Sequence, residues 1–112
     1  MPLRFFKVFE KDSLADGGTW SDDWTITEDL VLKRIYIQDK SGSDWTDSTF
    51  YFKIDEDVYT HSIVPAKVLG QQKDKTPILD IPVKKGQLLS FTFKNQEGAT
   101  KSLFLTFEFW KV

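Results

Sequence analysis

Two segments in the C-terminal third of the chain alternate between apolar and polar residues, and this period of two constrains the fold more than any other feature. Leu88–Lys94 (LLSFTFK) places one Leu and two Phe on one side. Ser102–Lys111 (SLFLTFEFWK) follows the turn residues Asn95–Gly98 and repeats the pattern with Leu and Phe. Because successive side chains of a strand point to opposite faces, the pattern predicts strands that are each buried on one face.

Other segments extend this pattern along the chain, and turn residues separate them. The further predicted strands are Phe5–Glu10, Leu30–Gln38, Thr49–Ile54, Val58–Val64 and Ile78–Val83. Pro65 is expected to end one strand and Pro82 to lie at a sheet edge, because proline has no N–H for the ladder. Ala66–Gln72 is expected to be loop or one helical turn. No segment sustains a period of 3.6, so about seven or eight antiparallel strands predict one all-β domain, 1–112, built as a two-sheet sandwich or a barrel.

The inward-facing residues form a set large enough for one hydrophobic core. At roughly 1.5–3 kcal/mol for each fully buried large side chain, their burial stabilises the fold by tens of kcal/mol. The conformational entropy lost on folding cancels most of this gain. The expected core is Leu30, Leu32, Ile35, Ile37, Phe50, Phe52, Ile54, Leu79, Ile81, Leu89, Phe91, Phe93, Leu103, Leu105, Phe107 and Phe109.

Composition excludes several classes of function. The 112 residues include no cysteine and one histidine, which excludes disulfide scaffolds, thiolate zinc sites, thiol catalysis and histidine-rich metal sites. A net charge of −2 argues against nucleic-acid binding, which needs a basic stripe. No apolar run reaches the roughly 20 residues that span a bilayer. The first residues lack the apolar core of a signal peptide, so we expect no export by that route and a cytoplasmic protein.

Catalysis finds little support in the sequence. His61 lies in the predicted Val58–Val64 strand, and the chain has no nucleophile elbow and no glycine-rich phosphate loop around which to build a site. A lone strand histidine is usually a half-exposed or hydrogen-bonded sheet residue. We therefore expect a protein that is not an enzyme and takes no cofactor.

One acidic turn resembles a calcium loop only superficially. Asp39–Asp44 (DKSGSD) offers oxygen side chains, but its sixth position is Asp where a helix–loop–helix site has Gly. Asp22, Asp23 and Asp47 could contribute further oxygens if the loops converge. Aspartates that stabilise Asx-turns explain the same residues, and we expect that role and no metal.

Three tryptophans lie among aspartates and support the alternative function, a carbohydrate-binding module. Trp20, Trp24 and Trp45 could offer ring faces to a sugar while neighbouring carboxylates bind its hydroxyls. Tryptophans that cap the core explain them equally. The alternation of Trp24 with Ile26 predicts that Trp24 faces the core, whereas Trp45 is expected to be the most exposed of the three.

The terminal strands are apolar on both faces, which indicates contacts with other subunits. Their candidate interface residues are Phe5, Phe6, Phe9, Phe104 and Trp110. Charge is also uneven, because residues 1–57 hold 13 acidic and 7 basic residues and residues 58–112 hold 4 and 8. This asymmetry would suit head-to-tail contacts between subunits, and chance scatter of surface charge explains it as well.

The order of segments resembles a known family. An aromatic N-terminal strand precedes WTITEDLVLKRIYIQD, FYFKIDEDVYTHSIVP and PILDIPVKKGQLLSFTFKN, and a final apolar strand follows. This layout looks like the small single jelly-roll proteins of icosahedral viruses and phages, which include capsid, penton and spike- or turret-base subunits. The resemblance implies a jelly-roll fold and a non-enzymatic structural protein in the virion, where it forms homo-oligomers and contacts other virion proteins.

Overall fold

The chain folds into strands joined by turns, as the alternation predicts. The computed structural model describes residues 3–42, 45–55, 79–111 and, for the main chain alone, 57–58 and 64–65. Seven strands have three or more residues, two segments pair over two residues, and the described residues contain no helix. The strands are β1 Arg4–Leu14, β2 Thr19–Thr25, β3 Leu30–Asp39, β4 Thr49–Ile54, β5 Asp57–Val58, β6 Val64–Pro65, β7 Ile81–Val83, β8 Leu88–Lys94 and β9 Lys101–Lys111.

Two antiparallel sheets pack as a sandwich. Sheet A has the strand order β1-β9-β3-β7, and sheet B has the order β2-β8-β4-β5. β5 and β6 both pair with β4, whose other edge is occupied by β8. β5 and β6 therefore lie along the same edge and share one strand position. The described strands thus fill eight positions, and the chain changes sheets at every step except from β4 to β5 and β6, which is the arrangement of a jelly roll. The predicted all-β, jelly-roll-like sandwich is confirmed.

The core lies between the sheets and is dominated by aromatic rings. The inward rows of β4, β8 and β9 are buried as the alternation predicts. Phe91 lies at the centre, with the rings of Phe9 and Trp20 both at 4.9 Å and those of Phe50 and Phe107 at about 6 Å. Edge-to-face and tilted pairs at these separations add to the stabilisation that comes from burial.

A β-bulge explains why the inward residues of β3 do not follow a strict period of two. The register against β9 shifts between Leu32 and Arg34. The extra residue in β3 allows Leu32 and Ile35, three positions apart, to face the core together. The expected inward set of β3 is therefore confirmed.

β1 is a strand of the sandwich itself, and this corrects part of the interface prediction. It pairs with β9, with Phe5 opposite Phe109 and Phe9 opposite Leu105. Phe9 is buried in the core and Phe5 packs against it. These two residues therefore bury their rings within their own chain, while the alternate residues of β1 point outward.

Some core predictions need adjustment at the margins. Leu79 and Ile81 are only partly buried, and the core also contains Phe9, Leu14, Trp20, Ile26, Trp45 and Val83. Pro82 lies in β7, the edge strand of sheet A, as predicted, and β6 ends at Pro65, which pairs with Thr49. His61, Asp44, the middle of the predicted Val58–Val64 strand and the segment 66–72 lie outside the described residues.

Candidate interaction surface

Two of the three tryptophans that could have bound a sugar are core residues. Trp20 is 7% exposed and Trp45 is 3% exposed. Trp45 packs edge-on against Phe93 at 5.1 Å, and its Nε1–H donates to the main-chain oxygen of Ile37 at 2.8 Å. The expectation that Trp45 is the most exposed of the three is wrong, because this hydrogen bond lets the ring enter the core without an unpaired donor. Neither ring can offer its face to a sugar.

Trp24 lies at the rim of the sandwich, between the edge strands β1 and β2. Its ring stacks on Phe5 at 5.6 Å and approaches Phe109 at 5.7 Å. The ammonium of Lys7 lies 5.6 Å from the same ring and 5.3 Å from that of Phe9, at cation–π distance. Trp24 faces the core side, as its alternation with Ile26 predicts, and it closes this rim together with β1.

Asp39, the described aspartate of the calcium-like turn, makes structural contacts. Asp39 accepts hydrogen bonds from the N–H and hydroxyl of Ser41, which is an Asx-turn, and from Lys101 Nζ at 3.0 Å. Burial opposes ionisation of Asp39, but these hydrogen bonds outweigh it and hold its pKa below the ordinary value. Among the described residues, no three acidic or histidine side chains form a group that could hold a metal ion.

The outward residues of sheet A form a mixed apolar and polar surface, which we call the outer face of sheet A. Phe6 and Val8 of β1 are each half exposed and stand side by side on it. Cross-strand pairing arranges the face in four rows: Arg4, Trp110 and Val31; Phe6, Glu108 and Arg34; Val8, Thr106 and Tyr36; and Glu10, Phe104 and Gln38. Phe6, Phe104 and Trp110, three of the five predicted interface residues, thus share this face.

A buried carboxylate lies at the centre of the outer face of sheet A. Glu108 has no exposed surface, although it points away from the core. It accepts hydrogen bonds from Tyr36 Oη at 2.5 Å, from Trp110 Nε1 at 2.9 Å and from Arg34 at 3.0 Å, the last also an ion pair. Burial disfavours the charged form, but these donors outweigh it and hold the pKa of Glu108 below its ordinary value. Burial and the hydrogen bond to Glu108 raise the pKa of Tyr36 to about 12.

Charged side chains cover the aromatic rings at the two ends of this face. At one end Lys33 lies 4.5 Å and Arg4 5.6 Å from the Trp110 ring. At the other end Lys40 lies 4.8 Å from the Phe104 ring and pairs with Glu10 and Asp12. Between these ends, Phe6 and Val8 of the edge strand β1 are apolar and accessible.

The outer face of sheet B has a more polar character, although it includes Leu88 of β8, which is 38% exposed. It carries hydroxyl and charged side chains, and Ser21 and Thr92 share a hydrogen bond of 3.0 Å across β2 and β8. A shallow depression of about 300 Å³ lies there, lined by Ser21, Asp23, Tyr51, Lys53, Ser90 and Thr92. The two faces of the sandwich thus differ, and the exposed apolar side chains of Phe6 and Val8 belong to sheet A.

Among the described residues, the charge difference between the two halves of the sequence does not separate into two patches. Strands of both halves alternate within each sheet. Lys101 pairs with Asp39 and Lys111 with Glu28, so basic residues of the second half neutralise acidic residues of the first. The described residues therefore give no support to head-to-tail attraction between an acidic and a basic half, which stays a prediction.

Sequence reasoning missed the polar centre of the surface. Arg34, Tyr36 and Glu108 come from β3 and β9, which are far apart in the sequence but adjacent in the sheet. One signal was present: Glu108 interrupts the apolar run Phe107–Trp110 at a position that faces away from the core. Val8 was also missed, although it alternates in phase with Phe6.

Comparisons of the chain with protein-family models, with curated proteins and with solved structures gave no match. Within the described residues, no helix has the length and apolarity needed to cross a membrane.

Proposed function

We propose that this protein is a non-enzymatic structural subunit of a virion, of the minor capsid, penton or spike-base type. It acts through protein–protein contacts with its own copies and with other virion proteins. The jelly-roll strand order supports this proposal, because viral capsid domains use it, although lectins and cupins use it as well. The fold alone therefore does not decide between these classes, and the argument depends on the surface.

The observation that carries the proposal is the outer face of sheet A. Phe6 and Val8 expose about half of their surface side by side on a rigid strand. Beside them the Glu108 carboxylate is fully buried and its hydrogen bonds are satisfied, whereas the buried Nε of Arg34 has no acceptor among the described residues. An exposed apolar patch that lies beside hydrogen-bonded polar groups and is flanked by charges has features of a protein interface.

The carbohydrate-binding alternative loses the residues on which it depended. A sugar platform needs an exposed ring face, and Trp20 and Trp45 are buried. Trp24 stacks on Phe5 and contributes to the rim of the core.

Sedimentation velocity across the micromolar range tests the proposal. We expect the full chain to self-associate, and Phe6→Asp to shift it towards monomer because the charge would be buried in the contact. Tyr51→Asp is the matched control, since it places the same charge on an aromatic position of the outer face of sheet B. Circular dichroism confirms that both variants fold.

Two results would contradict the proposal. One is a chain that stays monomeric throughout this range and is retained on a polysaccharide column. The other comes from the neighbouring genes: genes for other virion proteins support the virion role, and a cluster of metabolic genes argues against it.

A further inference from the structure

The strand β1 has a long edge with which no described strand pairs. It pairs with β9 on one side, and among the described residues no main chain pairs with its other side. The strand is regular from Arg4 to Lys11, and a bulge separates Lys11 from Leu14. An edge of this length presents a row of N–H and C=O groups to which another strand can add.

The outward side chains of β1 are self-complementary. From Arg4 onward they run basic, apolar, apolar and acidic, as Arg4, Phe6, Val8 and Glu10. If a second β1 pairs antiparallel about a two-fold axis at Lys7, Arg4 lies opposite Glu10 and Phe6 lies opposite Val8. The symmetry produces each of these pairs twice. Opposite charges and apolar side chains directly across an antiparallel pair stabilise it.

Other registers fit less well. An axis at Val8 places Phe6 opposite Glu10, and an axis at Phe6 places Arg4 opposite Val8. Registers that differ by one residue bring outward side chains opposite inward ones and reverse the faces of the second sheet. The axis at Lys7 alone among these satisfies both the charged and the apolar pairs.

Lys7 is the one unfavourable position in this register, because it faces its own copy. Its ammonium lies over the rings of Phe9 and Trp24, within the rim of its own sandwich. Inward-pointing charges on edge strands discourage indiscriminate pairing. Lys7 therefore disfavours the addition of arbitrary strands, and the matched side chains on either side of it favour one specific partner.

We propose that a second copy of this chain docks antiparallel on the free edge of β1. The two A sheets then form one continuous sheet of eight strands, with the two copies of the outer face of sheet A side by side. This inference rests on the proposed function, since it names the partner and the geometry of the same surface.

A charge-exchange experiment tests this dimer. In Arg4→Glu, residue 4 faces Glu10 of the second copy, and in Glu10→Arg, residue 10 faces Arg4. We expect the dimer dissociation constant of each variant alone to rise by about tenfold or more, because both symmetric pairs become repulsive. An equimolar mixture restores both pairs, so native mass spectrometry should detect a heterodimer with near wild-type affinity. Lys94→Glu, a charge reversal on the outer face of sheet B, is the control and should dimerise normally.

The outcomes separate this inference from the proposed function. If each single variant dimerises as the wild type does, or if the mixture stays monomeric while the wild type dimerises, the β1 contact is wrong. Self-association that Phe6→Asp still disrupts would then support the assembly role through a different contact between copies. A wild-type chain that stays monomeric overturns the β1 dimer. Thermal melts of each variant exclude loss of folding as the cause.

Discussion

Glu97 fastens the segment before β4 to the turn between β8 and β9, and its replacement by Gln gives a quantitative test of the structure. Its carboxylate accepts five hydrogen bonds from three consecutive residues: the N–H and hydroxyl of Thr46, the N–H of Asp47, and the N–H and hydroxyl of Ser48. Burial opposes ionisation, but these donors outweigh it and lower the pKa of Glu97 from 4.5 to about 2. The charged form is therefore bound much more tightly than the neutral form.

The magnitude follows from the two pKa values. A fall from 4.5 to about 2 corresponds to about 3 kcal/mol in the free energy of unfolding, and partial exposure to solvent reduces it to about 2–3 kcal/mol. Because the folded pKa is depressed, this stabilisation is complete above the unfolded pKa of 4.5. It is lost as the pH falls from about 4.5 to about 2. Glu97→Gln removes the charge and turns an amide donor towards N–H groups that need an acceptor.

Urea denaturation at a series of pH values measures this contribution. We expect Glu97→Gln to be less stable than the wild type by about 2–3 kcal/mol at neutral pH, with the difference shrinking towards pH 2. Asp47→Asn is the control, because it removes a carboxylate from the same segment and keeps the N–H that donates to Glu97. A pH-independent difference for Glu97→Gln, or an equal pH dependence for Asp47→Asn, would refute the reasoning.

Three further predictions concern the core and the strands. Phe107→Ala should lower the free energy of unfolding by about 3–5 kcal/mol, since its fully buried ring contacts both sheets, and near-wild-type denaturation would mean that the strand faces are reversed. Trp45→Phe should cost about 1–3 kcal/mol in the same assay, because the main-chain oxygen of Ile37 loses its indole donor. Deletion of residues 1–9 should unfold the chain, because it removes Phe9 from the core and most of β1. A folded monomer by circular dichroism and sedimentation would show instead that β1 serves only assembly.

Local patterns in the sequence were sufficient for the fold class and most of the core. Alternation with a period of two depends only on the pleat of a strand, so β4, β8 and β9 could be placed with their buried faces before any tertiary contact was known. Turn residues such as Asn95–Gly98 marked where strands reverse. The candidate surface could be predicted in part for the same reason, since Phe6, Phe104 and Trp110 stand out of phase with the inward rows.

Tertiary structure decided the features that depend on pairing between distant strands. Register and sheet order determine the bulge in β3 and the hydrogen bond to the oxygen of Ile37 that allows Trp45 to be buried. They also determine which residues donate hydrogen bonds to Glu97 and Glu108. From the sequence alone, a polar or aromatic residue in a turn is expected to be exposed, because the groups that satisfy its hydrogen bonds are not its neighbours along the chain. The sheet order also decided that Phe9 belongs to the core with Phe5 packed against it, and that no described strand pairs with the outer edge of β1.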